Sequence, residues 1–222
     1  MKPNIAVKLM LAALLLAARV GVAGTLAGSA HDFSSVNGGV PGWNLDQKVC
    51  VVCHTPHNSN TSVADAPLWN HTVTASSFQM YTSPTLQATG LAIGGTSKLC
   101  LSCHDGTVAI DSFGGAPTTT QMISSANNVG ADLRNDHPIG FTYDTNLVGK
   151  NPSLRDPGTA VTIGTGTTSK VGTIASNMLF AGKMECSSCH DVHNTFTVGA
   201  KGSGMVKMGA AGSALCVACH NK

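Results

Sequence analysis

The sequence predicts a coil-rich chain with short helical turns, minor β-structure and a core supplied largely by covalently attached groups. Three observations predict it. All eight cysteines fall into four copies of one pattern, Cys-x-x-Cys-His, at 50–54, 100–104, 186–190 and 216–220. Glycine is abundant, at 25 residues, while aromatic residues make up only 5%, which is thin material for a conventional core. The four motifs also alternate between two kinds, which marks an internal repeat.

Cys-x-x-Cys-His is the attachment signature of c-type haem. Cysteines three apart on one helical turn project to the same side, where both thiols can reach the vinyl groups along one porphyrin edge. The histidine that follows then ligates the iron from that face. Cys50, Cys53, Cys100, Cys103, Cys186, Cys189, Cys216 and Cys219 are therefore the expected attachment residues of four haem c groups. His54, His104, His190 and His220 are the expected proximal iron ligands. Two other readings of the cysteines are four disulfides and zinc knuckles built from pairs of motifs. Neither explains why every pair is followed at once by histidine with no cysteine left over.

The elements follow in chain order. Met1-Lys2, Lys8, an apolar stretch from Leu9 to Ala18 and a small-residue exit through Gly21 and Ala23 have the layout of a secretory signal peptide. Cleavage is expected after Ala23, with Ala27 an alternative. The stretch is too short and too abruptly ended to span a bilayer. Export fits the motifs, because haem is attached outside the cytoplasmic membrane. The expected destination is extracellular or the cell surface, with the periplasm as the alternative.

Residues 24–222 are expected to form a single tetrahaem domain made of two modules, at about 30–110 and 136–222. The first and third motifs read Cys50-Val-Val-Cys-His-Thr-Pro-His57-Asn58 and Cys186-Ser-Ser-Cys-His-Asp-Val-His193-Asn194. The second and fourth begin Ser-x-Leu and lack the second histidine. Each module also carries an upstream histidine, His31 or His137. A loop-like connection from Gly114 through Thr120 joins the modules. Within the second, the Gly/Thr-rich stretch 159–175 reads equally as a hairpin around Gly164 to Gly166 or as an exposed loop. After removal of residues 1–23 there are roughly 50 residues per haem, too few to wrap each one separately.

Each iron needs a second axial ligand, and that ligand decides between electron carriage and catalysis. Nine histidines less four proximal ones leave His31, His57, His71, His137 and His193. His57 and His193 lie three residues beyond a proximal histidine, on the same side, so they are expected to reach a neighbouring iron. His31 and His137 occupy matching upstream places, and these four close the count. His71, in Pro67-Leu-Trp-Asn-His71, has no counterpart in the second module; it is a fifth distal candidate, a replacement or a structural histidine. Methionine would raise the potentials, but Met80, Met122, Met178, Met184, Met205 and Met208 do not recur at matching positions.

These residues, with Gly28-Ser-Ala-His31-Asp-Phe and Asp136-His-Pro-Ile-Gly-Phe141, resemble the doubled-CxxCH multihaem c-type cytochromes. The nearest resemblance is to the OmcE-type extracellular tetrahaem cytochromes of metal-reducing bacteria. That resemblance implies a coil-rich multihaem cytochrome c fold, bis-histidine haems and a homopolymeric filament with a continuous haem stack. It also implies an axial histidine donated between subunits, for which His31 and His71 are the candidates. Its redox partners would be other cytochromes and extracellular acceptors.

The expected function is non-catalytic electron conduction, with a soluble periplasmic shuttle as the alternative and a multihaem reductase as a third class. The chain carries 13 basic and 11 acidic residues, a net charge of +2. Loss of Lys2, Lys8 and Arg19 with the leader, and the propionates of the haems, make the mature protein acidic. A nucleic-acid partner is excluded, since there is no basic stripe interleaved with aromatics.

Overall fold

The computed structural model describes residues 26–34, 44, 48–64, 66–116, 120–196, 198, 204–209 and 211–221. The expected signal peptide lies outside the described residues. Most of the described chain is coil and turn, as the glycine content predicts. Regular structure consists of five helices and two small sheets: α1 (Gly95–His104), β1 (Phe141–Thr142), α2 (Thr145–Lys150), β2 (Ala160–Ile163), β3 (Lys170–Thr173), α3 (Ile174–Asn177), β4 (Lys183–Met184), α4 (Cys186–Cys189) and α5 (Ala214–Val217). A 3-10 turn at Cys50–Val52 carries the first motif.

Helix α1 is the longest, at ten residues, and buries Ser97, Leu99, Leu101 and Ser102. It stops at Asp105-Gly106. Gly106 has φ +72° and its amide closes on the Cys103 carbonyl at 3.2 Å, the left-handed termination that glycine adopts without steric cost. Gly140 is needed for a different reason. It has φ +77°, and a Cβ there would run into the Ala92 carbonyl, so the two chain segments touch backbone to backbone.

The stretch 159–175 is a hairpin. Strands β2 and β3 pair antiparallel, Ala160 with Thr173 and Ile163 with Lys170, and a 3-10 turn at Gly166–Thr168 connects them. Val161 and Ile163 point inward while Val171 is 75% exposed. That single-sided burial is the period-two pattern of a half-covered sheet. The hairpin runs straight into α3, where Thr173 and Ser176 form a reciprocal capping box: the Ser176 amide donates to Thr173 Oγ1 at 3.1 Å and the Thr173 amide to Ser176 Oγ at 2.9 Å. This satisfies two amides that a helix start leaves without partners. Strands β1 and β4 pair antiparallel through Phe141–Met184 and Thr142–Lys183, which brings β4 and the following α4 back to the start of the second module.

The apolar side chains are distributed unevenly. Phe141, Tyr143, Leu147, Leu154, Val161, Ile163, Ile174, Met178, Leu179 and Met184 form a continuous core in the C-terminal half, with Ala218 and Cys219 of the fourth motif packed into it. In the N-terminal half, among the described residues, a small cluster of Val63, Trp69 and Leu99 with Cys53 packed against it is joined by single buried side chains such as Val52 and Leu101. The second module thus carries a polypeptide core of its own, beyond what the composition led us to expect. The first depends far more on its attached groups. Ile174, fully buried at 0% exposure, sits where hairpin and helix meet. Ile174→Ala is expected to cost about 2–5 kcal/mol, read as a lower midpoint in guanidinium unfolding monitored by far-UV circular dichroism, with the haem content unchanged.

Candidate haem centres

Each motif occupies one helical turn. The amides of His54, His190 and His220 donate to the carbonyls of Cys50, Cys186 and Cys216 at 2.9, 3.1 and 3.0 Å, and Cys100 to His104 form the last turn of α1. The local backbone therefore holds two cysteines and a histidine on one short arc, as the spacing requires. All eight thiols are free. Among the described residues no group of three or more His, Cys, Asp or Glu side chains gathers as a bare metal site. Burial pushes the thiols of Cys53 and Cys219 up to about 11.

The histidine rings are oriented by the backbone. Nδ1 of His54 faces the Pro67 carbonyl at 2.6 Å, that of His104 the Asn127 carbonyl at 2.8 Å, that of His190 the Gly204 carbonyl at 2.6 Å, and that of His137 the Pro138 carbonyl at 2.9 Å. An Nδ1–H donated to a carbonyl leaves Nε2 as a lone pair, which selects the tautomer and ring orientation that metal-bound histidines use. His31 is held by a ring contact with Phe33, centroids 5.7 Å apart. Burial, and secondarily the nearby His104, lowers it to about 4, so it is neutral near pH 7.

Three histidine pairs face one another. The ring centroids of His31 and His104 are 6.2 Å apart, those of His54 and His193 6.1 Å, and those of His137 and His220 6.4 Å. Two imidazoles on opposite sides of one metal ion, each with a bond of about 2 Å to it, have centroids about 6 Å apart. The residues present therefore fit haem iron held between paired histidines. Beside the fourth motif a cleft of about 470 Å³, lined by Gly212, Ser213, Cys216, Val217 and His220, falls in the size range of cofactor pockets. Trp69 Nε1 is buried without a hydrogen-bond partner. Such a group is costly unless an acceptor arrives, and a carboxylate of a bound group would supply one.

His71 is placed differently. It is 1% exposed, its Nδ1 faces the Thr72 carbonyl at 2.8 Å and its Nε2 the Ala109 carbonyl at 3.0 Å. Each nitrogen lies within reach of a backbone carbonyl, to one of which the neutral ring can donate, and Cys103 Sγ lies 3.5 Å from Nε2. Burial lowers its basicity. The structure brings it into no histidine pair and packs it behind the second motif.

The repeat extends beyond the motifs. After the first, Thr55 N donates to Leu68 O at 2.9 Å and Asn70 N to Cys53 O at 2.9 Å; after the third, Asp191 N donates to Met205 O at 2.6 Å and Lys207 N to Cys189 O at 2.8 Å. Asn58 and Asn194, and again Leu68 and Met205, adopt left-handed φ between 50° and 55°. This pairing aligns Asn70 with Lys207, and the next residues, His71 and Met208, fall opposite each other. The fifth histidine stands where the second module has an apolar side chain packed against the core.

One group was not legible as a contributor, whereas Asp105 and Asp191 were legible as supporting or capping carboxylates. Glu185, 3% exposed, precedes the third motif and joins it to the second: its Oε2 accepts from the Ser97 amide at 3.1 Å, and Ser97 Oγ accepts from the Cys186 amide at 3.0 Å. Burial raises its carboxyl above the ordinary value. Here the Cys100 and Cys186 thiols meet, and their hydrogen bond draws Cys186 down to about 7. No local signal in the sequence links residues 88 positions apart. Asp105 and Asp191, which follow proximal histidines, hold the loops beyond them: Asp105 accepts from Thr107 N at 2.8 Å and from Thr74 Oγ1, and Asp191 accepts from the Thr195 and Phe196 amides. Of the methionines, Met178 and Met184 belong to the core, while Met122 is exposed.

Residues 178–222, which carry the third and fourth motifs, match the protein family described as doubled CXXCH motif. No curated protein matches the chain. The motifs have the form of the c-type haem attachment signature, and the paired imidazoles fit it. The matched segment is consistent with a multihaem c-type cytochrome.

His71→Leu, which cannot ligate iron, is expected to retain the full haem complement and an entirely low-spin spectrum; a new high-spin haem would make His71 a ligand. A second prediction concerns Lys207. It is 6% exposed, donates to the Asn177 carbonyl at 2.9 Å and lies 4.7 Å above the Phe180 ring. Burial lowers it to about 8 from 10.5. The unfolded chain then binds more protons than the folded one between these values, so stability rises with pH from about 8 to 10.5. Thermal melts across that window should show the rise, and Lys207→Met should flatten it.

Proposed function

We propose that this chain is a tetrahaem c-type cytochrome that conducts electrons through four bis-histidine centres. The observation that carries the proposal is the set of facing imidazole rings, 6.1 to 6.4 Å apart, each including a motif histidine. Bound haem supplies reversible one-electron exchange at iron. The eight cysteines would anchor it covalently, and the motif histidines together with His31, His57, His137 and His193 would ligate the iron. At the three centres where a second ring faces the motif histidine, no position would remain for a small molecule at the iron, which favours electron carriage over a reductase. The carbonyls that face Nδ1 of His54, His104, His137 and His190 would hold those rings in place and raise their basicity. This suits low potentials.

We further propose export and assembly into an extracellular homopolymer that passes electrons to other cytochromes and extracellular acceptors. The support is the resemblance of the motif set to filament-forming relatives. A soluble periplasmic shuttle is favoured by a specific observation: the facing rings pair within one chain, so those centres need no ligand from a neighbouring subunit. Among the described residues, no helix is long and apolar enough to cross a membrane.

Pyridine haemochromogen analysis of the matured protein should return four haem c per chain. The reduced protein should be low-spin throughout and bind no carbon monoxide; rapid binding at full haem loading would favour the reductase. Negative-stain microscopy of the secreted fraction separates the two electron-transfer readings: filaments support the conduit, and discrete monomers alone support the shuttle.

A further inference from the structure

We infer that the first and third sites exchange their axial histidines. The haem attached at Cys50 and Cys53 lies between His54 and His193, and the haem attached at Cys186 and Cys189 lies between His190 and His57. The inference rests on the haem reading above and goes beyond it by assigning a distal histidine to each iron.

The His54 and His193 rings lie 6.1 Å apart with planes inclined by 20°, yet they belong to opposite halves of the chain. The segments that carry them are copies: each runs from a proximal histidine to a second histidine three residues on, and each turns at a left-handed asparagine. Each proximal ring is anchored through Nδ1 to a carbonyl at 2.6 Å. Two equivalent segments that meet with the first histidine of one facing the second of the other are compatible with a two-fold relation, under which contact i–j implies contact j–i. On that relation His57 would serve the iron of His190, a pair that is inferred from the repeat and is not among the observed ring contacts, which include His54–His193. His57 is exposed, and Thr55 holds its backbone, so the ring is not spent on the chain's own polar groups. It also cannot serve its own motif, because residues three apart on a turn share a side.

The second and fourth sites close differently. His31 faces His104 at 6.2 Å within the first half, and His137 faces His220 at 6.4 Å within the second. Two irons would thus be held inside a module and two would cross-link the modules. The C-terminal half alone could not complete the third site, although the family match falls within that half.

The test uses the full-length, haem-loaded protein and counts carbon monoxide bound by the reduced form, with haem content determined in parallel. Fewer than four haems in the wild type would overturn the haem reading itself; four haems with a different pairing would overturn only the exchange. His193→Gly and His57→Gly should each open one site, closed again by added imidazole. To identify the iron, the same substitutions are placed in Cys50→Ala/Cys53→Ala, which removes the first haem. There His193→Gly should add no carbon monoxide site, because its iron is gone, while His57→Gly should still add one. The opposite pattern, or a site opened by both, overturns the exchange.

A second readout needs no loss of haem. Nearly parallel imidazole planes split the iron d-orbitals that face them and give a rhombic low-spin resonance, whereas nearly perpendicular planes leave them close in energy and give a strongly anisotropic one. The 20° of His54–His193 and the 75° of His137–His220 fall in these two classes. His193→Gly should remove one haem's share of the rhombic signal and leave the strongly anisotropic signal intact. Loss of the anisotropic signal instead would overturn the assignment.

Discussion

The structure depends on one geometric constraint: two imidazole rings must face each other about 6 Å apart, one of them from a turn that also presents two thiols on its other flank. A single turn of helix supplies the thiols and the first ring. The second ring comes from elsewhere in the chain, and its placement is a demand on tertiary structure. Much of the coil exists to meet that demand. Backbone carbonyls at 67, 127, 138 and 204 aim the rings, and the carboxylates at 105 and 191 tie down the loops beyond the motifs.

This explains how so little regular structure can hold a fold. Among the described residues the N-terminal half gathers a much smaller apolar cluster, Val63, Trp69 and Leu99, than the C-terminal half, so packing opposes less of its chain entropy. Covalent attachment and two axial bonds per iron would remove much of the chain entropy that packing leaves unopposed. The C-terminal half can rely on its hairpin and core. The polar joint of Glu185 with Ser97 ties α4 to α1, so the motif richest in neighbours is fastened to both halves.

The motif turns and the coil-rich character were legible because both are local. Cys-x-x-Cys-His works through the spacing of one turn, and glycine-rich segments with few aromatics announce turns directly. The hairpin at 160–173 was half legible: Val161 and Ile163 alternate, but nothing local chose between a strand pair and a loop until β2 found the core. The C-terminal core was not legible, since its members are scattered singly from Phe141 to Cys219 and show no strong helical or strand period. The role of His71 was open for the same reason. Only its contacts with the Ala109 and Thr72 carbonyls, and the alignment that sets it opposite Met208, separate it from the other histidines.

By itself the sequence determined how many attachment turns there are, that they alternate in two kinds, and which nine histidines are available. These are properties of neighbours in the chain, set by covalent spacing and the pitch of a turn. Only the tertiary structure decided which ring faces which. His31 meets His104 across 73 residues, and His54 meets His193 across 139. Contacts at such separations follow from the way loops close and modules dock, and no local pattern encodes them.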